Sequence, residues 1–157
     1  MSTRIQKQDY YFGVALSSLF NNNCDATLTL LENGSSSREF RMTTNTSSEF
    51  ILYMKYASKA SVQGREKTWR FSITDSERQK IGHFIHNEER LFVILICGDK
   101  DLKTGDIAVL TTAEFNQLSG KTGISVKVTG PNAKVFHIQG IKKPVQRNRI
   151  EKRLTDL

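Results

Sequence analysis

The chain has 157 residues, a net charge of +7 at pH 7 and a sequence pI of about 9.5. This length suits one domain that buries roughly two-thirds of the surface of its unfolded chain. The longest apolar run has seven residues, from Leu91 to Cys97, which is too short to cross a bilayer, and the opening "MSTRIQKQDYYFG" lacks the pattern of a secretory signal. We therefore expect an intracellular, cytoplasmic protein with no membrane contact, and the basic charge favours a polyanionic partner.

The first third of the chain predicts a helix and then a β-hairpin. In "DYYFGVALSSLFN" the residues Tyr11, Val14, Ala15 and Leu19 recur at helical spacing, which is typical of a helix that packs on a sheet. The polar stretch "NNNCD" ends this helix. The segment "ATLTLLENGSSSREFRMTT" then predicts two strands around a turn at Gly34.

Two further strands are predicted on either side of a polar loop. Residues 50–56 form a mostly apolar run that contains Lys55. After the loop, Trp69, Phe71 and Ile73 alternate with polar residues, which is the period of a strand with one buried face.

A helix and the central strand follow. Thr74 and Glu77 have the spacing of a capping box, in which each side chain satisfies a backbone donor of the other residue, so a helix is predicted from Thr74 to about residue 87. Residues 91–97 are all apolar, as in a strand that is buried on both faces. Residues 106–110 predict the next strand.

The remaining elements are a short helix and two strands. Thr111 and Glu114 repeat the capping-box spacing and predict a helix that ends near Leu118. Two strands, at residues 124–130 and 134–140, are predicted on either side of a turn rich in Gly, Pro and Asn.

Together these elements predict an α+β fold. It is a single domain with an N-terminal helix, then a mixed, mostly antiparallel sheet of about eight strands with two further helices. We assign residues 1–140 to this globular domain and residues 141–157 to a basic C-terminal tail. The tail has six basic and two acidic residues, a net charge of +4, and fits either a solvated tail or an arm that contacts a polyanion.

The loop between the third and fourth strands is a second basic segment, with five cations from Lys55 to Arg70 and one acidic residue, Glu66. Cations beside aromatic rings are typical of nucleic-acid grooves, because cations meet phosphates and rings stack on bases. Trp69 fits such a ring, and its alternation with Phe71 also fits a core residue. The predicted nucleic-acid contacts are Lys55, Lys59, Arg65, Lys67, Trp69, Arg70, Lys142, Lys143, Arg147 and Arg149.

The order of a helix, a hairpin, a strand ending in lysine, a helix and a buried strand resembles the core of the PD-(D/E)xK, or restriction-endonuclease-like, superfamily. That family holds a metal ion with an Asp at the start of one strand and an acid two residues before a Lys on the next, because phosphodiester hydrolysis needs oxygen ligands for the cation and a nearby positive charge. By this resemblance, Asp25 in "CDATL" matches the first acid and Lys55 in "YMKY" matches the lysine. Tyr53 stands where the family has Glu or Asp, which indicates a descendant that binds nucleic acid without cutting it.

A second mapping of the same resemblance uses Glu39 and Arg41 in "REFRM" as the acid and the cation. Arg stays protonated, so in that position it would stabilise charge rather than act as a base. The resemblance therefore implies Asp25, Glu39 and Lys55 as the catalytic residues of a Mg²⁺-dependent nuclease, if the chain is an enzyme.

No other group of residues predicts catalysis or a cofactor. His83 and His86 lie three residues apart on the second helix, without further residues to complete a tetrahedral metal site. The sequence thus predicts a nucleic-acid-binding module, in the form of a degenerate nuclease-like domain. Two alternatives stay open: a protein-interaction or inhibitor module that docks its basic face on an acidic partner, and the metal-dependent nuclease.

Overall fold

The structure is a computed structural model that describes residues 7–22, 27–33, 37–43, 49–99 and 106–147. These residues contain three helices and ten strands. The helices are α1 (Lys7–Asn22), α2 (Asp75–His86) and α3 (Thr112–Asn116). The strands are β1 (Thr27–Asn33), β2 (Ser37–Thr43), β3 (Glu49–Ala57), β4 (Ser61–Gln63), β5 (Glu66–Ser72), β6 (Leu91–Cys97), β7 (Asp106–Thr111), β8 (Gly123–Thr129), β9 (Val135–Ile138) and β10 (Val145–Gln146).

The ten strands form two sheets of five strands each. The first sheet has the order β1-β2-β3-β6-β7, in which β3 and β6 are parallel and the other neighbours are antiparallel. Two parallel neighbours need a long connection. The connection from β3 to β6 contains the β4–β5 hairpin and α2. The second sheet has the order β10-β9-β8-β5-β4 and is antiparallel throughout.

The central strand β6 is buried along its whole length, as its unbroken apolar sequence predicts. One face of the first sheet packs against α1, through Phe12 and Ala15. The opposite face packs against the second sheet, α2 and α3, with Trp69 and Phe136 in the shared core. The second sheet is therefore held on the first by an apolar layer.

Both predicted capping boxes are present. The Thr74 hydroxyl accepts from the backbone N–H of Glu77, and the Glu77 carboxylate accepts from the backbone N–H of Thr74. Thr111 and Glu114 do the same at the start of α3. These contacts satisfy backbone donors that have no partner inside a helix, which is why both helices begin where the sequence predicts.

The predicted α+β class and the single domain that begins with a helix are confirmed. The described residues hold ten strands rather than about eight, in two sheets rather than one. The predicted polar loop is the β4–β5 hairpin, with a turn at Gly64. The sequence does not predict strand β4, because its three residues are all exposed and show no alternation of apolar and polar side chains. Residues 141–147 pack on the domain, and the buried Val145 begins β10, so the predicted tail does not begin at residue 141.

Candidate functional site

The strand that carries Lys55 lines a group of polar side chains inside the fold, which we call the polar cluster: Ser37, Glu39, Tyr53, Lys55 and Glu77. The pairing of β2 with β3 sets Glu39 opposite Tyr53 and Ser37 opposite Lys55. Residues directly opposite each other share one face of a sheet, and this face packs on α2 and the second sheet. The predicted residues Glu39 and Lys55 therefore lie on the same buried face, at 5% and 2% exposure.

Glu77 of α2 closes the polar cluster. Lys55 Nζ and Tyr53 Oη both donate to Glu77 Oε2, each at 2.6 Å. The other carboxylate oxygen, Oε1, accepts from the backbone N–H and the hydroxyl of Thr74, each at 3.2 Å. A carboxylate offers about four acceptor positions, and all of them are occupied here.

The pKa values within the polar cluster follow from these contacts. Burial raises the pKa of the Tyr53 phenol well above its ordinary value, and its hydrogen bond to the Glu77 carboxylate raises it further. Burial alone would also raise the pKa of Glu77, but the hydrogen bonds from Lys55, Tyr53 and Thr74 outweigh it and lower that pKa. The stable state is thus a neutral phenol, an ammonium and a carboxylate that hold α2 against the first sheet.

In this arrangement the Glu77 carboxylate is not free to hold a Mg²⁺ ion. Magnesium prefers carboxylate and water oxygens in an open octahedral arrangement, whereas the Glu77 oxygens are occupied and the Lys55 cation lies beside them. In the part of the chain described, no three His, Cys, Asp or Glu side chains are grouped so as to hold a metal ion. Asp25, the predicted first acid, lies outside the described residues. Arg41, of the second mapping, is held by two carboxylates, Glu49 at 2.5 Å and Glu89 at 2.7 Å.

The second candidate surface lies at one end of the second sheet, where two turns meet. The turn between β4 and β5 carries Arg65, whose carbonyl accepts from the backbone N–H of Gly130 at 2.8 Å. Gly130 has φ +82°, a conformation that glycine adopts without a steric cost, and a Cβ there would lie 3.2 Å from the Arg65 guanidinium. This close approach joins the β4–β5 turn to the turn between β8 and β9.

Arg147 fixes the same turn from its other side. Its backbone N–H donates to the Lys134 carbonyl at 3.0 Å, and its guanidinium donates to the carbonyls of Pro131 and Ala133. The guanidinium also binds Asp106 through two hydrogen bonds, of 2.9 and 3.0 Å. The predicted phosphate contact Arg147 is thus neutralised by a carboxylate and serves the fold.

Three exposed cations surround these turns, and we call them the basic end: Arg65, Lys67 and Lys134. None of the three forms an ion pair with any residue in the described ranges. Arg147, the last residue of the described ranges, lies beside Lys134, and the sequence after it has Arg149, Lys152 and Arg153 within six residues. The β4–β5 turn and Arg147 of the basic tail therefore share one end of the molecule.

The other predicted contacts are spread over the fold. Lys59 and Arg70 are exposed near β4, where Arg70 donates to the Ser61 hydroxyl at 3.2 Å. Lys142 and Lys143 are exposed beside α3, and the backbone N–H of Lys142 donates to Gln117 Oε1. Arg149 lies outside the described residues.

Trp69 is a core residue in this structure. Its side chain is 4% exposed, and its indole N–H donates to the Gly98 carbonyl at 2.8 Å. The ring is therefore enclosed and does not lie on the surface, where a base could stack on it.

Sequence reasoning missed Glu77 as the partner of Lys55, although one signal was available. A lysine inside an otherwise apolar strand needs a buried acid, because an unpaired buried cation is costly. The nearest predicted helix begins with a capping box that contains Glu77. Lys134 was also missed, because it lies in the turn that contacts Arg65 through Gly130, and this contact depends on how two hairpins meet.

No helix within the described ranges is both long and apolar enough to cross a membrane. Comparison of the chain with protein-family models, with curated proteins and with solved structures gave no match in any of the three.

Proposed function

We propose that the protein binds nucleic acid through the basic end, with Arg65, Lys67 and Lys134 contacting phosphates. One observation carries the proposal: Arg65 and Arg147 are both attached to the turn from residue 130 to residue 134. One residue of each basic segment, Arg65 of the first and Arg147 of the second, therefore lies at the same end of the fold although the two are far apart in the sequence. Clustered cations without carboxylate partners attract a polyanion by releasing its bound counterions.

Binding of this kind does not depend on base sequence. Trp69 and Phe71 of β5 and Val126 of β8 are buried, and the residues that alternate with buried ones face outward. The outward side chains are Thr68, Arg70, Ser125 and Lys127. None of these side chains is aromatic, and Trp69 is enclosed in the core. His137 of β9, opposite Lys127, is an exposed ring on this face. The cations of the basic end contact phosphates, and such contacts position a nucleic acid but do not read its bases.

The polar cluster supports a nuclease-like ancestry without catalysis. The resemblance to the PD-(D/E)xK superfamily rests on the order of α1, the β1–β2 hairpin, β3, α2 and β6, and the chain keeps this order with the β4–β5 hairpin inserted between β3 and α2. Lys55 is present, but Tyr53 replaces the family's acid and both side chains bind Glu77. We infer a degenerate site in which the former catalytic position now stabilises the fold.

The proposal is tested with two variants of equal charge. Arg65→Gln/Lys134→Gln removes one Arg and one Lys from the basic end, and Lys7→Gln/Arg90→Gln removes one of each from exposed positions elsewhere. Binding to a fluorescent DNA duplex is measured by anisotropy over a range of salt concentrations. Each lost phosphate contact reduces the magnitude of the slope of log K against log salt by about 0.9. The slope of the first variant should therefore be smaller than that of the wild type by about 1.8, and the slope of the second should change much less.

Equal slopes for the two variants would contradict the proposal, because the net charge alone would then explain binding. Binding to an acidic protein but not to DNA or RNA would instead favour the interaction-module alternative. The nuclease alternative requires Mg²⁺- or Mn²⁺-dependent cleavage that is lost in Asp25→Ala and in Glu39→Gln. Our account predicts that the wild-type protein leaves the duplex intact.

A further inference from the structure

A groove of about 280 Å³ lies between α2 and α3, away from the basic end. Residues of α2, including Arg78 and Gln79, form one wall, and Asn116, Ser119 and Gly120 form the other. Phe115 and Ile85 supply an apolar surface between them. The space is slightly below that of typical ligand pockets, roughly 300–1,000 Å³, and fits a small molecule or one end of a larger one.

Arg78 is the unusual residue of this groove. Its backbone N–H belongs to the first turn of α2 and donates to the Thr74 carbonyl at 3.0 Å. Its guanidinium, however, forms no hydrogen bond or ion pair with any residue in the described ranges, and Nη2 is buried without an acceptor. A buried donor left without a partner destabilises the fold, and a charged one does so more strongly. Because Nη2 is closed to solvent, it gains an acceptor from outside the chain when the Arg78 side chain turns into the groove.

The remaining lining favours an anion over a cation. The eight residues of the lining include no Asp or Glu, so no carboxylate lines the groove itself. The amides of Gln79 and Asn116 and the Ser119 hydroxyl offer further donors. A Cβ built at Gly82 or Gly120 would meet nothing within 4 Å, which leaves room beside the Arg78 side chain.

Two more cations belong to the segment that contacts the end of α3. Lys142 and Lys143 are exposed, and the backbone N–H of Lys142 donates to the side chain of Gln117, two residues before Ser119. They raise the local positive potential without being engaged by carboxylates in the described part of the chain. A positive potential around the groove assists the capture of an anion.

We propose that the groove between α2 and α3 binds a small phosphate-bearing ligand, whose phosphoryl oxygens accept hydrogen bonds from the Arg78 guanidinium. Once the side chain has turned so that Nη2 faces the groove, the planar guanidinium matches a phosphoryl group with two parallel hydrogen bonds. The phosphoryl group is either inorganic phosphate or the terminal phosphate of a nucleotide. This site is separate from the basic end, so each of the two proposals can fail without the other.

The test is an NMR titration of the ¹⁵N-labelled protein that follows the amides of Gly82, Ser119 and Gly120. Inorganic phosphate, a nucleoside 5′-monophosphate and the unphosphorylated nucleoside are added separately, with sodium chloride at equal ionic strength as a reference. We expect saturable shifts with one or both phosphates and none with the nucleoside or chloride. Tighter binding of the monophosphate than of phosphate would identify a nucleotide as the source, and equal binding would identify the free ion.

The matched variants are Arg78→Met and Arg90→Met, because Arg90 is exposed and lines no part of the groove. Arg78→Met should raise the phosphate Kd at least tenfold, or about 1.4 kcal/mol, and Arg90→Met should leave it unchanged. Arg78→Lys keeps the charge but loses the paired donors, so its phosphate Kd should lie between those of the wild type and Arg78→Met. The proposal is overturned if no phosphate gives a saturable shift, or if Arg78→Met binds phosphate as tightly as the wild type.

Discussion

The ion pair between Lys55 and Glu77 gives the sharpest prediction about stability. The Lys55 side chain is 3% exposed and that of Glu77 is 14% exposed, with 2.6 Å between Nζ and Oε2. At an effective dielectric constant of about 20, two unit charges at this distance attract by about 6 kcal/mol, and much of this is offset by the cost of taking both from water. Removal of one partner is the informative change, because it leaves the other charge buried and unpaired.

We expect Glu77→Gln to lower the free energy of unfolding by about 3–5 kcal/mol. Gln keeps the capping box with Thr74, since this motif accepts Gln in place of Glu, so the loss reports the charge and not the cap. In a protein of this length the melting temperature should fall by about 6–20 °C, at about 2–4 °C per kcal/mol. Lys55→Met/Glu77→Gln removes both charges and should recover most of the loss.

Urea unfolding at pH 7, followed by the fluorescence of the buried Trp69, measures each free energy. The pair of Lys127 and Glu66 serves as the control, because it is 3.6 Å apart and both side chains are more than 40% exposed. Lys127→Met/Glu66→Gln and the single changes should each alter stability by less than about 1 kcal/mol. The reasoning is refuted if Glu77→Gln costs no more than the control, or if the double variant is less stable than Glu77→Gln.

Two further predictions concern pH and packing. The folded state lowers the pKa of Glu77 below its ordinary 4.5. The stabilisation that the Glu77 carboxylate gives is therefore complete above pH 4.5 and is lost as the pH falls through the folded pKa. The difference in unfolding free energy between wild type and Glu77→Gln, measured by urea titration, should shrink in that range. Gly98→Ala should destabilise the fold by more than about 2 kcal/mol, since its Cβ would clash with the Tyr11 ring and lie 2.9 Å from the Ala57 carbonyl. Gly82→Ala, inside α2 with no neighbour within 4 Å, should instead stabilise by about 0.5–1 kcal/mol, and thermal unfolding distinguishes the two.

Local signals in the sequence predict much of the fold. Thr74 with Glu77 and Thr111 with Glu114 mark where two helices begin, because a capping box involves only nearby residues. The apolar run of β6 identifies the central strand for a similar reason. Neither signal required knowledge of the rest of the chain.

The missed features depend on contacts between distant segments. β10 has two residues, and no periodicity shows that Val145 will be buried against β9. Arg147 looks like one of several tail cations, although its partner Asp106 lies 41 residues earlier. Such pairings follow from how the two sheets stack, which a pattern along the chain does not contain.

The candidate site shows the same division. The sequence predicts cations between Lys55 and Arg70, but not which of them reach the surface. The structure buries Lys55 against Glu77 and leaves Arg65 and Lys67 exposed at the basic end. Lys55 lies within β3, which is buried from Phe50 to Lys55, whereas Arg65 and Lys67 lie in and beside the turn at one end of β5. Position along the strands, which depends on how they pair, therefore separates the buried cation from the exposed ones.

The most direct test of the central claim is the salt dependence of wild-type binding to two DNA duplexes of equal length and unrelated sequence. If Arg65, Lys67 and Lys134 each contact a phosphate, log K should fall against log salt with a slope of about −2.7 or steeper. The two duplexes should give the same slope and the same affinity, because no base is read. A slope near zero, or a large preference for one sequence, would contradict nucleic-acid binding through the basic end.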